Sequence, residues 1–254
     1  MLWYHKDIEN ISYCVISAIN VRRYFMKSQI ILISLFIIFE TVLCVAVQIT
    51  TGPLLTAVSF GAVVLAFIFS LITLKNDFNN ILTSFGLLTT VVSDIFLVVL
   101  NPAIQDVAML SFSITQILYF IRIHLNTFDN KIKILHIVTR IFTVVLSLLL
   151  TIVVLKEKTD FLSLISIFYY ANLLTNVVFS FFTKRLFILS IGLICFALCD
   201  MFIGLNILSS SYIQLAEGSL LYFLANPSFN FAWLFYVPSQ TLIALSCVKF
   251  NLKS

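Results

Sequence analysis

Charged residues are scarce in this sequence. They make up 10% of its 254 residues, whereas a soluble globular chain carries about 25%. The chain therefore has too little charge to cover a water-facing surface. Its five cysteines are too scattered for a disulfide framework, and its six glycines form no phosphate-binding loop. The net charge of +4 is spread over short segments, so we expect no nucleic-acid partner.

Apolar residues are what the sequence has in excess: 61% are hydrophobic, 26 are phenylalanine, and the mean hydropathy is +1.11. A helix that crosses the hydrocarbon core of a bilayer needs about 20 apolar residues. Eight continuous runs of roughly this length are present, at 30–50, 54–74, 78–100, 104–122, 132–155, 161–182, 186–207 and 230–249. Continuous runs exclude the alternating strands of a membrane β-barrel. We predict an all-α integral membrane protein whose eight transmembrane helices occupy residues 30–254.

The distribution of lysine and arginine predicts the orientation. With eight spans, nearly all of these residues fall on one side of the membrane, and only Lys156 and Lys158 fall on the other. Because cytoplasmic loops carry the excess of positive charge, both termini are expected in the cytoplasm. Residues 1–29 are then a cytoplasmic or interfacial segment, either lying on the membrane surface or solvated.

The third and seventh spans resemble each other. Residues 84–96 and 190–202 share Ser-x-Gly-Leu and, further on, Asp-x-Phe. The following apolar run in each half contains a glutamine, Gln116 or Gln240. The two segments are four spans apart, so this similarity predicts a parallel internal repeat of four plus four helices.

Three carboxylates lie inside predicted spans: Glu40, Asp94 and Asp200. A charge near the bilayer centre costs about 3 kcal/mol or more, so such acids usually face the bundle interior and mark function. Asp94 and Asp200 lie six or seven residues from the outer ends of their spans, a matching depth of about 10 Å. We expect them to meet across an interior cavity. Glu40 is a possible further member, although its spacing does not connect it to the pair.

Other polar side chains recur at helical spacing within the spans. Interhelical hydrogen bonding is the ordinary role of such residues, and lining of the same cavity is the alternative. The stripes consist of Thr83, Thr90, Asp94 and Asn101 on the third span, Gln116 and Tyr119 on the fourth, Tyr169, Asn172, Asn176 and Ser180 on the sixth, and Trp233, Tyr236 and Gln240 on the eighth.

Two buried carboxylates permit two kinds of chemistry. Since both cannot ionise cheaply, one retains a proton, which suits general acid catalysis with attack by water on an acid-labile ether. The same pair could carry protons or cations in a small-molecule transporter. None of the three histidines is next to either aspartate in sequence, so we expect no zinc site.

Four of these runs are similar to one known family. They read GLLTTVVSDIFL around Asp94, Gln116-Ile-Leu-Tyr119, ICFALCDMFIGLN around Asp200 and Asn206, and YVPSQTLIA with Tyr236 and Gln240. Together they resemble the YhhN family of eight-span membrane proteins, whose characterised members are lysoplasmalogenases. The resemblance implies cleavage of the alkenyl ether of a lysophospholipid to a fatty aldehyde and a glycerophospho-base, without a metal or a nucleotide.

The sequence also departs from the family pattern. Ser93 and Cys199 replace the glycine and the serine that precede the aspartates, Gln116 replaces a histidine, and Gly52 replaces a lysine. A family member that binds lipid without hydrolysing it is therefore a third hypothesis, beside the hydrolase and the transporter.

The leading hypothesis is a lysoplasmalogenase-like hydrolase with Asp94 and Asp200 as acid and base, in an order that the sequence does not assign. The substrate-binding candidates are Gln116, Tyr119, Tyr169, Asn172, Asn206, Tyr236 and Gln240, with Glu40 as a possible addition. The expected partners are a lysophospholipid or another lipid and the membrane itself. No cofactor is expected.

Overall fold

The computed structural model describes residues 28–74, 77–100, 102–211, 216–225 and 229–248, and every regular element within them is helical. Nine α-helices occupy these ranges. Their bounds are α1 Ser28–Ile49, α2 Gly52–Ile72, α3 Phe78–Asp94, α4 Gln105–Asn126, α5 Asn130–Leu155, α6 Phe161–Ser180, α7 Phe187–Ser211, α8 Leu220–Ala225 and α9 Phe231–Leu245. The predicted N-terminal segment up to residue 27, Asn101, and the lysines and arginines at 6, 22, 23, 27, 75, 249 and 253 lie outside the described residues.

Within these ranges, the helices α1 to α7 are long and apolar enough to cross a membrane. The eighth predicted span corresponds to α9, which is apolar but only 15 residues long. At 1.5 Å per residue it extends about 22 Å, less than the roughly 30 Å of hydrocarbon in a bilayer. The prediction of an all-α, multi-pass membrane protein is confirmed. The eighth crossing and the cytoplasmic placement of the termini stay predictions.

The chain packs as two units, Met1–Phe39 and Glu40–Ser254. In the first unit, the described residues 28–39 form the beginning of α1. All packing and site geometry described below belongs to the second unit.

Five helices of the second unit form a closed ring. α3 packs against α4 and α9, α7 packs against α9 and α6, and α6 packs against α4. Outside this ring, α2 lies against α3 and α9, and α5 lies against α6. α5 buries His136 but otherwise presents many apolar side chains outward, as expected for a helix that faces lipid. The ring therefore contains the interior of the second unit.

Glycines allow close approach at two matching places in the ring. A Cβ on Gly86 of α3 would lie 2.4 Å from Cε1 of Tyr119 on α4. A Cβ on Gly192 of α7 would lie 2.9 Å from Cγ1 of Ile243 on α9. Tyr119 and Ile243 each follow a glutamine by three residues, Gln116 and Gln240. The pairs α3–α4 and α7–α9 thus repeat one packing feature at the positions that the sequence similarity relates. The full repeat of four plus four helices stays a prediction.

Polar side chains cap the first turn of several helices by accepting hydrogen bonds from backbone N–H groups that have no partner within the helix. The caps are Asp77 before α3, Asp129 before α5, Asp160 before α6 and Asn230 before α9. The cap of α6 is reciprocal, because Asp160 accepts from the Ser163 N–H at 2.8 Å and donates its own N–H to Ser163 Oγ at 3.1 Å. These caps fix where α3, α5, α6 and α9 begin.

The cap of α6 predicts a pH-dependent contribution to stability. Hydrogen bonds from the backbone and side chain of Ser163 hold the pKa of Asp160 below its ordinary value of 3.8. A carboxyl whose pKa is lowered in the folded state stabilises it above the unfolded-state pKa and loses that effect as the pH falls through the folded-state pKa. We expect Asp160→Asn, which keeps an acceptor but removes the charge, to lower the melting temperature slightly near pH 7. The difference should vanish in more acidic solution, and an equal difference at both pH values would contradict this assignment.

Candidate functional site

Each buried aspartate of the ring accepts a hydrogen bond from a tyrosine on a neighbouring helix. Asp94, at the end of α3, accepts from the Tyr236 hydroxyl of α9 at 2.8 Å. Asp200, on α7, accepts from the Tyr169 hydroxyl of α6. A phenol donor fixes the orientation of a carboxyl group and satisfies one of its oxygens without adding a counter-charge. The two acids are therefore held in place while their ability to exchange a proton is kept.

One phenylalanine links the two aspartate–tyrosine pairs. Phe196, one turn before Asp200 on α7, is fully buried. Its ring centroid lies 5.5 Å from that of Tyr236 and 6.4 Å from that of Tyr169. Phe112 of α4 completes the aromatic cluster, with its centroid 5.5 Å from that of Tyr169 and 5.9 Å from that of Phe196. Both pairs thus lie against the same aromatic wall, to which four of the five ring helices contribute.

The two aspartates differ in their exposure. Asp94 is only 2% exposed, whereas Asp200 is partly exposed. Asp200 is therefore the more accessible acid, and the meeting of the two acids across an interior cavity stays a prediction. We call Asp94, Asp200, Tyr169, Tyr236 and Phe196 the acid site.

The helix geometry changes directly after Asp94. Residues Ile95–Val99 form a π-helical turn, in which the Leu100 N–H donates to the Ile95 carbonyl at 2.9 Å. Such turns are rare and often occur at functional sites, because the extra residue rotates the helix that follows. Here the turn begins at the residue after Asp94 and ends at Val99, after which Leu100 is extended.

A second polar cluster joins α4, α5 and α6. The Arg140 guanidinium of α5 donates to the side-chain oxygens of Asn172 and Asn176 on α6. The Asn176 amide donates in turn to the backbone carbonyl and the side-chain oxygen of Gln116 on α4, at 2.8 and 3.0 Å. His136 Nε2 lies 3.3 Å from the guanidinium. These five residues are the Arg140 cluster, and they include the candidates Gln116 and Asn172.

A third cluster joins the start of α3 to the C-terminal ends of α4 and α9. Arg122 of α4 donates to Thr83 Oγ1 at 2.6 Å, and to the Ser246 hydroxyl and carbonyl at 2.7 and 2.9 Å. Asn80 of α3 donates to the Cys247 carbonyl at 3.0 Å. Thr83, which shares the predicted stripe of Asp94, is thus engaged by a structural clamp far along α3 from the acid site.

The remaining candidates lie apart from the aspartates. Tyr119 is fully buried against Gly86, with its hydroxyl facing Thr90. Gln240, one turn after Tyr236, donates to Ser239 Oγ at 3.1 Å. The candidate Asn206 donates to the Ala225 carbonyl of α8 at 3.0 Å, and the candidate Glu40 faces Thr241 of α9. Of the predicted residues, the structure brings together Asp94, Asp200, Tyr169 and Tyr236.

Sequence reasoning gave no functional role to Arg140 or Phe196. Yet an arginine ten residues into an apolar helix is itself a signal of function, and Arg140 has that position in α5. Phe196 carried no signal, because it is one of 26 phenylalanines.

The comparisons with known proteins bear on the whole bundle. No curated protein and no solved structure matches this chain. One family model, that of the YhhN family, matches residues 54–247. The match covers α2 to α9 and therefore all members of the three clusters described above. This chain belongs to the YhhN family.

Proposed function

We propose that the protein is a membrane-embedded hydrolase that cleaves the alkenyl ether bond of lysoplasmalogens. The observation that carries the proposal is the acid site: two carboxyl groups, each held by a tyrosine whose ring packs near the same buried Phe196 inside the helix ring. Membership of the YhhN family supports the same substrate class. The mechanism and the substrate are proposed here together.

The reaction begins with proton transfer to carbon. The protonated member of the aspartate pair donates its proton to the second carbon of the alkenyl chain, which converts the vinyl ether into an oxocarbenium ion. The ionised member removes a proton from water as the water oxygen attacks the first carbon, giving a hemiacetal. Collapse of the hemiacetal breaks the carbon–oxygen bond to glycerol, releasing a fatty aldehyde and the glycerophospho-base alcohol. The proton lost from the hemiacetal hydroxyl is transferred to the departing alcohol, while the pair ends with one proton, as it began.

The surroundings of the pair favour the charged intermediate. An ionised carboxylate stabilises an oxocarbenium ion more strongly in a low-dielectric interior than it does in water. The ring of Phe196, fully buried against Tyr236, adds an aromatic group next to the site, and aromatic rings attract cations. Tyr169 and Tyr236 keep both carboxyl groups from rotating away from the reacting carbons.

The test is an assay of the purified protein in lipid nanodiscs. Aldehyde release is measured from a lysoplasmalogen and from a lysophospholipid that carries the matching saturated alkyl ether. We expect release from the alkenyl ether alone, because a saturated ether has no carbon that can be protonated. In heavy water the aldehyde, trapped by immediate reduction, should contain one deuterium at its second carbon. Absence of aldehyde, together with proton-driven solute uptake into proteoliposomes, would establish the transporter instead.

A further inference from the structure

Arg140 places a positive charge inside the bundle without a counter-ion. Its hydrogen-bond partners on α6 are the neutral amides Asn172 and Asn176, and its remaining neighbours are the His136 ring and the face of Phe120, whose centroid is 4.1 Å away. Among the residues that the structure describes, no carboxylate is paired with this guanidinium. An arginine at this depth is costly unless it is neutralised.

Hydrogen-bond donors exceed acceptors in the Arg140 cluster. A guanidinium has five N–H donors, and the Arg140 Nε–H is buried without a partner. The Gln116 Nε2 amide is also buried without a partner, in a side chain that is fully enclosed. Turning the Gln116 amide around would bring its nitrogen against the donating Asn176 nitrogen, so the observed orientation is fixed. The cluster therefore lacks an acceptor, and an anionic oxygen would supply both the missing acceptor and the missing charge.

The position of the cluster relative to the acid site narrows the choice of anion. Asn172 and Asn176 follow Tyr169 by three and seven residues on α6, which places them about 5 and 10 Å further along the helix axis. In a lysoplasmalogen, five bonds separate the ether oxygen from phosphorus, a span of about 6 Å when extended. A phosphodiester at Arg140 therefore allows the alkenyl ether of the same molecule to reach the aspartates.

We propose that Arg140, with Gln116, binds the phosphodiester of the lysophospholipid substrate, which rests on the function proposed above. Asn172 and Asn176 are positioning residues, because they hold the two terminal nitrogens of the guanidinium and leave its buried Nε–H without a partner. Charge-assisted hydrogen bonds from arginine to phosphate are among the strongest in proteins. The site gives the hydrolase its preference for phosphate-bearing ether lipids over neutral ones.

The experiment compares binding of three probes to the full-length protein in nanodiscs. The probes are 1-O-hexadecyl-lysophosphatidylethanolamine, which the proposed chemistry cannot cleave, 1-O-hexadecylglycerol, which lacks the phosphate, and inorganic phosphate. We expect Arg140→Gln to weaken binding of the phospholipid about 10- to 100-fold more than binding of the alkylglycerol. Arg185→Gln, which removes an exposed arginine of the α6–α7 connection, should leave the preference as in the wild type.

A second variant separates ligand binding from helix packing. Asn172→Asp places a carboxylate beside Arg140, so the link between α5 and α6 is kept while the charge is neutralised. We expect the melting temperature to be maintained or raised and the preference for the phospholipid to fall at least tenfold. A merely structural arginine predicts an unchanged preference in this variant, which would overturn the proposal.

The other outcomes also decide between the proposals. Three outcomes would overturn the lipid phosphodiester site. Arg140→Gln could weaken binding of both lipids equally, the wild type could bind no lysophospholipid, or inorganic phosphate could bind as tightly as the lipid. Arg140-dependent binding without any aldehyde release would retain this site and overturn the hydrolase. Aldehyde release with a substrate preference that is independent of Arg140 would retain the hydrolase and overturn this site.

Discussion

Replacement of Asp94 or Asp200 by asparagine is expected to lower kcat for alkenyl-ether cleavage by about 10³-fold. The amide has nearly the shape of the carboxyl group, and its oxygen can still accept from Tyr236 or Tyr169, so the helix ring should remain folded. What is lost is the ability to donate a proton to carbon or to remove one from water. Because the phosphodiester is proposed to bind at Arg140 and not at the aspartates, KM should change little. Steady-state aldehyde release by both variants and the wild type measures this effect.

The matched control is Asp106→Asn, which makes the same chemical change at an exposed position in the first turn of α4. This variant should retain the wild-type kcat. Equal rates for all four proteins would remove both buried aspartates from the chemistry, and the acid site would then be a structural feature of the ring.

An internal repeat would give the two aspartates equivalent hydrogen-bond donors, and the acid site does not have this symmetry. Tyr236 precedes Gln240 by four residues, and the residue four before Gln116 in the first half is Phe112, which has no hydroxyl. Asp200 accepts instead from Tyr169 on another helix. Different donors and different exposure make the two carboxyl groups inequivalent, as acid and base must be if one gives a proton while the other takes one. Of the two acids, Asp200 is the more exposed.

The helices and the acids could be predicted from the sequence because both are local signals. Lipid requires each spanning segment to satisfy its own backbone hydrogen bonds, so a continuous apolar run determines a helix without reference to the rest of the chain. Asp94 and Asp200 stand out because carboxylates are rare in such runs. Their matching depth follows from the spacing along each helix alone.

The partners of the polar residues could not be predicted because they depend on which helices are neighbours. Thr83 and Asp94 share a helical stripe, yet Thr83 binds Arg122 near one end of α3 and Asp94 binds Tyr236 at the other. Asn172 follows Tyr169 by one turn and nevertheless joins Arg140 on α5. An apolar helix face can contact either lipid or another helix, so apolar faces do not specify which helices are neighbours. For this reason the closed ring could not be predicted from the sequence.

The close contact between α3 and α4 predicts the largest loss of stability from a small substitution. A Cβ at Gly86 would lie 2.4 Å from Tyr119 Cε1 and 2.9 Å from its Cζ, and the ring is fully buried. Gly86→Ala therefore forces a stiff aromatic side chain to move within a packed interior. We expect a loss of about 3 kcal/mol, despite the better helix propensity of alanine, and a melting temperature lower by about 10 °C. Thermal unfolding in a single detergent measures the change.

Gly61→Ala is the matched control, because its Cβ would meet no atom within 4 Å in the interior of α2. It should be neutral or raise stability by up to about 1 kcal/mol. Gly192→Ala should be intermediate, since its nearest contact, Ile243 Cγ1 at 2.9 Å, is a less severe overlap than the 2.4 Å contact at Gly86. A double-mutant cycle with Tyr119→Leu assigns the loss to one contact: the smaller side chain should recover most of the cost of Gly86→Ala. The prediction would be contradicted if the losses in that cycle were additive, or if the substitutions at Gly61 and Gly86 had equal effects. Either result would show that α3 and α4 leave room for a Cβ next to Tyr119.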